Sequence, residues 1–140
     1  LQAKQAADLH TPGFNQRVAY EVIRAGLLDT HLPMVRAMYK AQRDAMRDAL
    51  QRHLPEGCRF NVPAGGMFFW VELPAGLDTR ELLPRAVQAG MAYVPGAPFY
   101  CRDAQANTLR LSFVTVSAPQ IEQGVAALGR VLAEALAQRA

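Results

Sequence analysis

The chain has 140 residues, of which 51% are hydrophobic and 19% are charged, and its formal net charge is +3 at pH 7. This composition predicts a folded domain, or part of a larger protein, and argues against a disordered chain. No window holds the roughly 18 apolar residues of a membrane span, so no membrane segment is expected. The arginines are spread along predicted helices without interleaved aromatic residues, which argues against a nucleic-acid surface.

The cysteines and histidines give no sign of a metal site. Cys58 and Cys101 form no C-x-x-C pair, and the three histidines are scattered. Neither residue type has the spacing of metal ligands, so we expect no metal. Nothing else in the sequence indicates secretion, and a cytoplasmic protein with free thiols is the expectation.

Three helices are predicted in the first part of the chain. Residues 1–8 have the pattern of the end of a helix and open without a methionine, so we expect a fragment of a longer protein. A second helix is predicted over residues 14–25 and a third over residues 34–53. The second helix has an apolar stripe formed by Val18, Val22 and Ile23. Because these helices have no sheet of their own, the stripe is expected to pack against the missing part of the protein.

From residue 59 onward the hydrophobic period changes to that of strands. The predicted elements are strands 59–63 and 66–73, a helix over 78–89, strands 91–94 and 108–114, and a helix with Ser117 as its N-cap. The strand over 66–73 is apolar on both faces at its start, which predicts a central, covered strand. Pro84 is expected to kink its helix or delay its start. The sequence therefore predicts an α+β fold, with a mixed sheet of about four strands covered mainly on one face by helices.

One arginine interrupts the apolar pattern of the last predicted strand. With a period of two, Arg110 lies on the face opposite to the apolar residues. The apolar face consists of Leu109, Leu111 and Phe113, and Ser112 shares the face of Arg110. An arginine at such a position either points to water or binds an anion, because its planar fork of donors matches a carboxylate in two parallel hydrogen bonds. The residues alone leave both interpretations open.

Motifs of other enzyme classes are missing: the chain has no phosphate-binding glycine loop and no recognisable Ser, His and Asp triad. Three segments nevertheless carry a resemblance in their order and spacing. They are residues 63–74 (PAGGMFFWVELP), 94–99 (VPGAPF) and 107–113 (NTLRLSF), the last followed by Gly124 and Leu128. Together they resemble the C-terminal part of fold-type I, pyridoxal 5′-phosphate (PLP)-dependent aminotransferases, nearest to the 2-aminoadipate, kynurenine and aromatic group.

The resemblance implies a domain organisation and a substrate site. Residues 28–140 would form the small C-terminal domain, and residues 1–27 would link it to, or pack on, a large cofactor domain absent from this chain. Arg110 would bind the α-carboxylate of the substrate. The residues near the substrate side chain would be Gly65, Gly66 and Phe68. The glycine pair is also explained by a hairpin turn or a bulge, and the segment Pro95-Gly96 by a plain turn.

The chain departs from this family at the lysine that carries the cofactor. Its two lysines, Lys4 and Lys40, lack the family's local motif, so no catalytic or cofactor-binding residue is assigned. The resemblance implies a full-length transferase that uses PLP to move an amino group between an amino acid and a 2-oxo acid, as a homodimer. The chain by itself is expected to bind no PLP and to be inactive.

Two other functions remain open. In one bacterial family, a winged-helix DNA-binding module is fused to a PLP-sensing domain of the same aminotransferase type, and this chain would look similar there. Nucleic acid would be a partner only in that case, because the regulator needs a basic helix-turn-helix module upstream. A stand-alone small domain used for dimer contact is the third interpretation.

Overall fold

The computed structural model describes residues 2–139. Its elements follow one another as α1 (Gln2–Ala7), α2 (Gly13–Arg24), α3 (Leu27–His53), β1 (Arg59–Phe60), β2 (Phe68–Glu72), α4 (Thr79–Gln88), β3 (Val94–Pro95), a 3₁₀ helix (Ala97–Phe99), β4 (Thr108–Ser112) and α5 (Ala118–Ala137). Among the described helices, none is long and apolar enough to cross a membrane. The helix predicted to begin at residue 34 begins at Leu27, so Pro33 lies inside it.

The chain divides into two compact units between Met38 and Tyr39. The first unit holds α1, α2 and the start of α3. Its apolar stripe on α2 is exposed, with 48% of Val18, 39% of Val22 and 60% of Ile23 accessible to solvent. This exposure is what the sequence predicts for a stripe whose packing partner lies elsewhere. The domain boundary expected after residue 27 concerns the full-length protein and stays a prediction.

The second unit is built around a four-stranded sheet in the order β1-β2-β4-β3. All three neighbouring pairs are antiparallel, so the expected mixed sheet is wrong, whereas the α+β class and the four strands are confirmed. The reason is the position of β4. The α4 connection makes β2 and β3 run in the same direction, but β4 lies between them and pairs antiparallel with both.

The strands are shorter than predicted, and β3 is displaced. Residues 91–94 were expected to form it, but the ladder holds only Val94 and Pro95. The preceding residues are engaged by α4 instead: the amide of Met91 donates to the carbonyl of Ala86 at 2.9 Å. The hydroxyl of Tyr93 donates to the carbonyl of Thr79 at 2.7 Å. The first bond occupies a backbone donor and both bonds hold this segment on α4, and a local pattern does not reveal them.

Helices cover one face of the sheet, as predicted. Phe69 and Val71 of β2 and Leu109 and Leu111 of β4 are buried there. They pack with residues of all three helices of this unit, including Met46, Leu50, Leu82, Ala86, Ile121 and Leu128. The other face of β2 is less protected, because 37% of Phe68 is exposed. The strand is therefore central, as expected, but helices cover it on one face only.

Local signals place the starts of the last two helices correctly. The Asp78 carboxylate accepts a hydrogen bond from the amide of Arg80 at 2.7 Å, which caps α4. Pro84 does not delay that helix, which starts at Thr79. At the start of α5, Gln120 Oε1 accepts from the amide of Ser117 at 2.9 Å. Both caps act within a few residues of chain, which is why the sequence predicts them.

A carboxylate links the end of α3 to α5. Glu122 accepts a hydrogen bond from Arg52, and its Oε1 lies 2.7 Å from His53 Nε2. The bond from Arg52, and then that from His53, lower the pKa of Glu122 below its usual value of 4.5. Because the folded-state pKa is lowered, this carboxylate stabilises the fold above pH 4.5. The contribution is lost as the pH falls through the folded-state pKa.

The variant Glu122→Gln is expected to unfold at a lower urea concentration than the wild type at pH 7. The difference should shrink as the pH falls below 4.5, because the wild-type carboxylate then becomes protonated as well. Urea midpoints measured between pH 7 and pH 3 test this. Glu56→Gln is the control, since it removes an exposed carboxylate that forms no ion pair with residues 2–139. Parallel pH profiles of wild type and Glu122→Gln would contradict the prediction.

Candidate functional site

The candidate site lies on the sheet face that the helices leave open, around Arg110 of β4. The period-two prediction for this strand is confirmed, because Leu109, Leu111 and Phe113 are buried on the helix-covered side. Arg110 is half-buried on the opposite side. In the ladder it pairs with Trp70 of β2 on one side and with Val94 of β3 on the other.

Two phenylalanine rings flank the Arg110 guanidinium. Its Cζ lies 4.1 Å from the centre of the Phe68 ring and 4.7 Å from the centre of the Phe99 ring. Phe68 comes from β2, and Phe99 comes from the 3₁₀ helix that follows β3. Since β2 and β3 are the two neighbours of β4, the two rings belong to elements on opposite sides of its strand. Both distances are within the range of a cation–π contact.

Trp70 extends this arrangement into an aromatic cluster of Phe68, Trp70, Phe99 and Tyr100. The centres of the Trp70 and Phe99 rings are 5.7 Å apart, with their planes at 84°. Trp70 also lies 6.1 Å from Tyr100. An edge-to-face pair of this kind is favourable beyond the area it buries. The cluster therefore forms an apolar wall beside one cation.

The hydrogen-bond donors of Arg110 are not used by the described protein. Among residues 2–139, no ion pair or side-chain hydrogen bond involves this guanidinium. The rings contact it without accepting its N–H bonds, because a cation–π contact uses the charge rather than the donors. A half-buried cation with free donors in an apolar wall suits a carboxylate, which accepts two parallel bonds from one arginine.

Three residues were predicted to lie near the substrate side chain, and one of them, Phe68, contacts Arg110 directly in the structure. Gly65 and Gly66 lie on the exposed segment just before it, between β1 and β2. Gly66 has a φ of +82°, so the turn explains this glycine on backbone grounds. A Cβ built at Gly65 would meet nothing within 4 Å in the described chain. Space inside this chain therefore does not account for Gly65.

A close approach explains the glycine in the Pro95-Gly96 segment. A Cβ at Gly96 would overlap the side chain and carbonyl of Thr108, whereas its φ of −79° suits any residue. The amide of Gly96 donates to the carbonyl of Thr108 at 2.7 Å. Interpreted from the sequence, this segment is a plain turn. In the structure it holds the start of the 3₁₀ helix against β4, and Phe99 follows three residues later.

Phe99 is the site residue that the sequence did not identify. It belongs to the segment 94–99, in which only Pro95-Gly96 was interpreted, as a turn, and its contact with Arg110 depends on how β3 pairs with β4. The available signal was weak: two consecutive aromatic residues, Phe99 and Tyr100, follow a Pro-Gly pair. Aromatic residues that remain exposed after a turn are worth testing as site residues.

The lysines, Cys58 and the potential metal ligands do not form a second candidate site in the described part of the chain. Lys4 Nζ lies 3.2 Å from Asp8, and Lys40 Nζ lies 2.7 Å from Asp44, each at an exposed helix position. Burial raises the pKa of the Cys58 thiol to about 11, which makes it a poor nucleophile at neutral pH. In the described part of the chain, no three His, Cys, Asp or Glu side chains cluster to hold a metal.

A cavity of about 620 Å³ lies between α5 and the segment before β3. Ser112 lines it, but Arg110 and the aromatic cluster do not. Its one charged lining residue within the described range is Arg130, which is exposed. The cavity therefore lacks a charge held in place by packing, and the face around Arg110 is the stronger candidate.

Proteins of known sequence resemble this chain along nearly its whole length. No protein-family model matches it. It is 44% identical over 137 residues to a 2-aminoadipate transaminase of Thermus thermophilus, an alignment that covers 98% of this chain and 34% of the relative. The chain therefore spans about a third of the length of this relative.

Solved structures agree with the sequence match. An α-aminoadipate aminotransferase from Thermus thermophilus, complexed with N-(5′-phosphopyridoxyl)-L-leucine, superposes with a TM-score of 0.85 at 44% identity. The match covers 98% of this chain and 35% of that one. A multiple-substrate aminotransferase from Thermococcus profundus superposes with a TM-score of 0.88 at 42% identity, covering 97% and 34% of the two chains.

Transcriptional regulators are more distant relatives. An uncharacterized helix-turn-helix-type regulator of Bacillus subtilis is 30% identical over 131 residues, which cover 94% of this chain and 27% of the regulator. Identities of 40–44% are found with aminotransferases, whereas this regulator matches at 30%.

Proposed function

We propose, from the correspondence of this chain to the C-terminal part of fold-type I, PLP-dependent aminotransferases, that the full-length protein moves an amino group between an amino acid and a 2-oxo acid. The observation that carries the proposal is Arg110, a half-buried cation that contacts two aromatic rings and keeps its donors free. An amino acid and a 2-oxo acid share an α-carboxylate, the group that such a fork binds.

In this proposal Arg110 is the substrate-binding residue of the chain. It donates two parallel hydrogen bonds to the carboxylate, which fixes the direction of the bonds at Cα relative to the reacting groups of the rest of the protein. Phe68, Gly65 and Gly66 lie beside the substrate side chain. The exposed surroundings of Gly65 leave room for such an approach. No catalytic residue is assigned to this chain.

The residues of this chain do not fit a PLP site. Its two lysines are exposed and paired with aspartates. A lysine that binds a carbonyl group covalently needs a free amine that faces the bound group, whereas each of these amines is held by a carboxylate at the helix surface. We therefore place cofactor binding in the part of the full-length protein outside this chain, and the chain alone is proposed to be inactive.

The remaining parts of the proposal follow the resemblance. Residues 28–140 form the small domain, residues 1–27 pack on or connect to the large domain, and the full-length protein is a homodimer of the cytoplasm that needs no metal. The exposed stripe of Val18, Val22 and Ile23 supports a contact outside the described chain, because an apolar stripe on a helix usually packs against another element. Light scattering of the full-length protein tests the dimer.

A regulator that senses PLP is the second candidate, supported by the helix-turn-helix-type relative. Its 30% identity is lower than the 44% of the transaminase, which favours the enzyme. The preceding sequence separates the two, since a regulator carries a basic DNA-binding module there.

The full-length protein, loaded with PLP, is expected to convert amino acids into their 2-oxo acids when a 2-oxo-acid acceptor is supplied. 2-Aminoadipate, leucine and aromatic amino acids are the first donors to test, because this chain is similar to a 2-aminoadipate transaminase, to an aromatic-amino-acid aminotransferase and to an aminotransferase complexed with a phosphopyridoxyl-leucine adduct. Formation of the oxo acid is followed by chromatography. A protein that binds operator-like DNA and transfers no amino group between any tested pair would overturn the enzyme in favour of the regulator.

A further inference from the structure

The turn that contains Phe99 fixes the backbone of this residue but does not require its ring to lie against Arg110. The 3₁₀ helix is anchored on β4 by the hydrogen bond from the amide of Gly96 to the carbonyl of Thr108, an approach that leaves no room for a side chain at Gly96. The amide of Phe99 then donates to the carbonyl of Gly96 at 2.9 Å, which fixes the backbone but not the ring. The ring is 49% exposed and nevertheless contacts both Arg110 and Trp70.

These two contacts restrict the arginine. A free arginine side chain samples many rotamers, and the entropy lost when a ligand fixes it in one of them reduces the affinity for that ligand. Phe68 limits the guanidinium from the side of β2, and Phe99 limits it from the side of β3. Neither ring uses an N–H donor, so the donors stay available for a ligand. Trp70 in turn limits the movement of the Phe99 ring, since the two rings meet edge to face.

We propose that Phe99 is a positioning residue, whose ring holds the Arg110 guanidinium in the orientation that binds a carboxylate. The inference rests on the proposed role of Arg110 and adds a residue to it. Phe99 acts through the arginine, so removing its ring weakens the preference of the protein for a ligand with a carboxylate over the same ligand without one. A ring that merely packs in the wall would affect both ligands alike.

The test measures the binding of 3-phenylpropanoate and of its neutral amide, 3-phenylpropanamide, to the full-length protein by calorimetry. The ratio of the two dissociation constants is the carboxylate preference. Phe99→Leu keeps an apolar side chain but removes the ring, and it is expected to reduce this preference by about 3- to 30-fold, the range of a cation–π contact. Phe99→Tyr keeps the ring and should restore the preference.

The matched control is Tyr100→Leu, which removes the neighbouring ring of the same cluster. Tyr100 contacts Trp70, but its ring does not lie over the Arg110 guanidinium. This variant should therefore retain the carboxylate preference even if it weakens the binding of both ligands. In an Arg110→Ala background, Phe99→Leu should cause no further loss of preference, because the group on which the ring acts is gone.

The outcomes separate this inference from the proposed function. If Arg110→Ala abolishes the carboxylate preference and Phe99→Leu leaves it intact, Arg110 keeps its role and the positioning role of Phe99 is overturned. If Phe99→Leu still reduces the preference in the Arg110→Ala background, the ring acts on the ligand directly, which also overturns the inference. If the wild-type protein does not prefer the carboxylate at all, both proposals fail.

Discussion

Replacing Arg110 with alanine in the full-length protein is expected to lower kcat/KM for the best amino-acid substrate by roughly 30-fold to several thousand-fold. Removal of one partner of a desolvated, hydrogen-bonded charge pair costs about 2–5 kcal/mol, and each 1.4 kcal/mol corresponds to about a tenfold change. The substrate carboxylate would be that partner. Steady-state kinetics across a series of amino acids measure the effect.

Arg110→Lys distinguishes the fork of donors from the charge. An ammonium keeps the charge but cannot donate two parallel bonds in one plane, so this variant should also lose much of kcat/KM. PLP binding, followed by the absorbance of the cofactor, should survive in both variants because its contacts are placed outside this chain. Arg80→Ala is the matched control, since it removes an exposed arginine of α4.

The outcome that would contradict the role of Arg110 is a near-normal kcat/KM in Arg110→Ala. The side chain would then be a partly exposed strand residue that packs on aromatic rings and binds no substrate. That alternative is the same one that the sequence leaves open for an arginine on the polar face of a strand.

Replacing Gly129 with alanine is expected to destabilise the second unit by about 1–3 kcal/mol, the usual cost of overpacking. A Cβ at Gly129 would overlap the backbone carbonyl of His53, at the end of α3. A backbone atom cannot move aside as the tip of a side chain can, so the two helices would have to separate. Urea unfolding of the chain, with midpoint and slope both recorded, measures the loss.

Gly124 offers a control in the same helix. A Cβ there would come no closer than 3.4 Å to the described structure, and the neighbouring atom is Cγ of the flexible Met91. Because alanine is favoured over glycine inside a helix by about 0.5–1 kcal/mol, Gly124→Ala should be neutral or stabilising. If the two variants changed stability equally, the approach of α5 to α3 would not be the reason for Gly129.

The sequence by itself was sufficient where a signal acts over a few neighbouring residues. The alternation of Leu109, Arg110 and Leu111 assigns the two faces of β4, because successive side chains of a strand point to opposite sides. The caps at Asp78 and Ser117 mark the starts of α4 and α5, because each cap satisfies amides in the next turn. The order and type of elements, and hence the α+β class, follow from such local patterns.

Pairings between distant segments were decided by the tertiary structure alone. Local hydrophobicity does not specify which strand inserts between two others, so the position of β4 and the antiparallel sheet could not be inferred. The same holds for the site. Arg110 could be assigned to a face from its own strand, but its contacts with Phe68 and Phe99 exist because β2 and β3 pair on either side of β4. A sequence pattern records the period of one segment, whereas the register between segments depends on how all of them pack together.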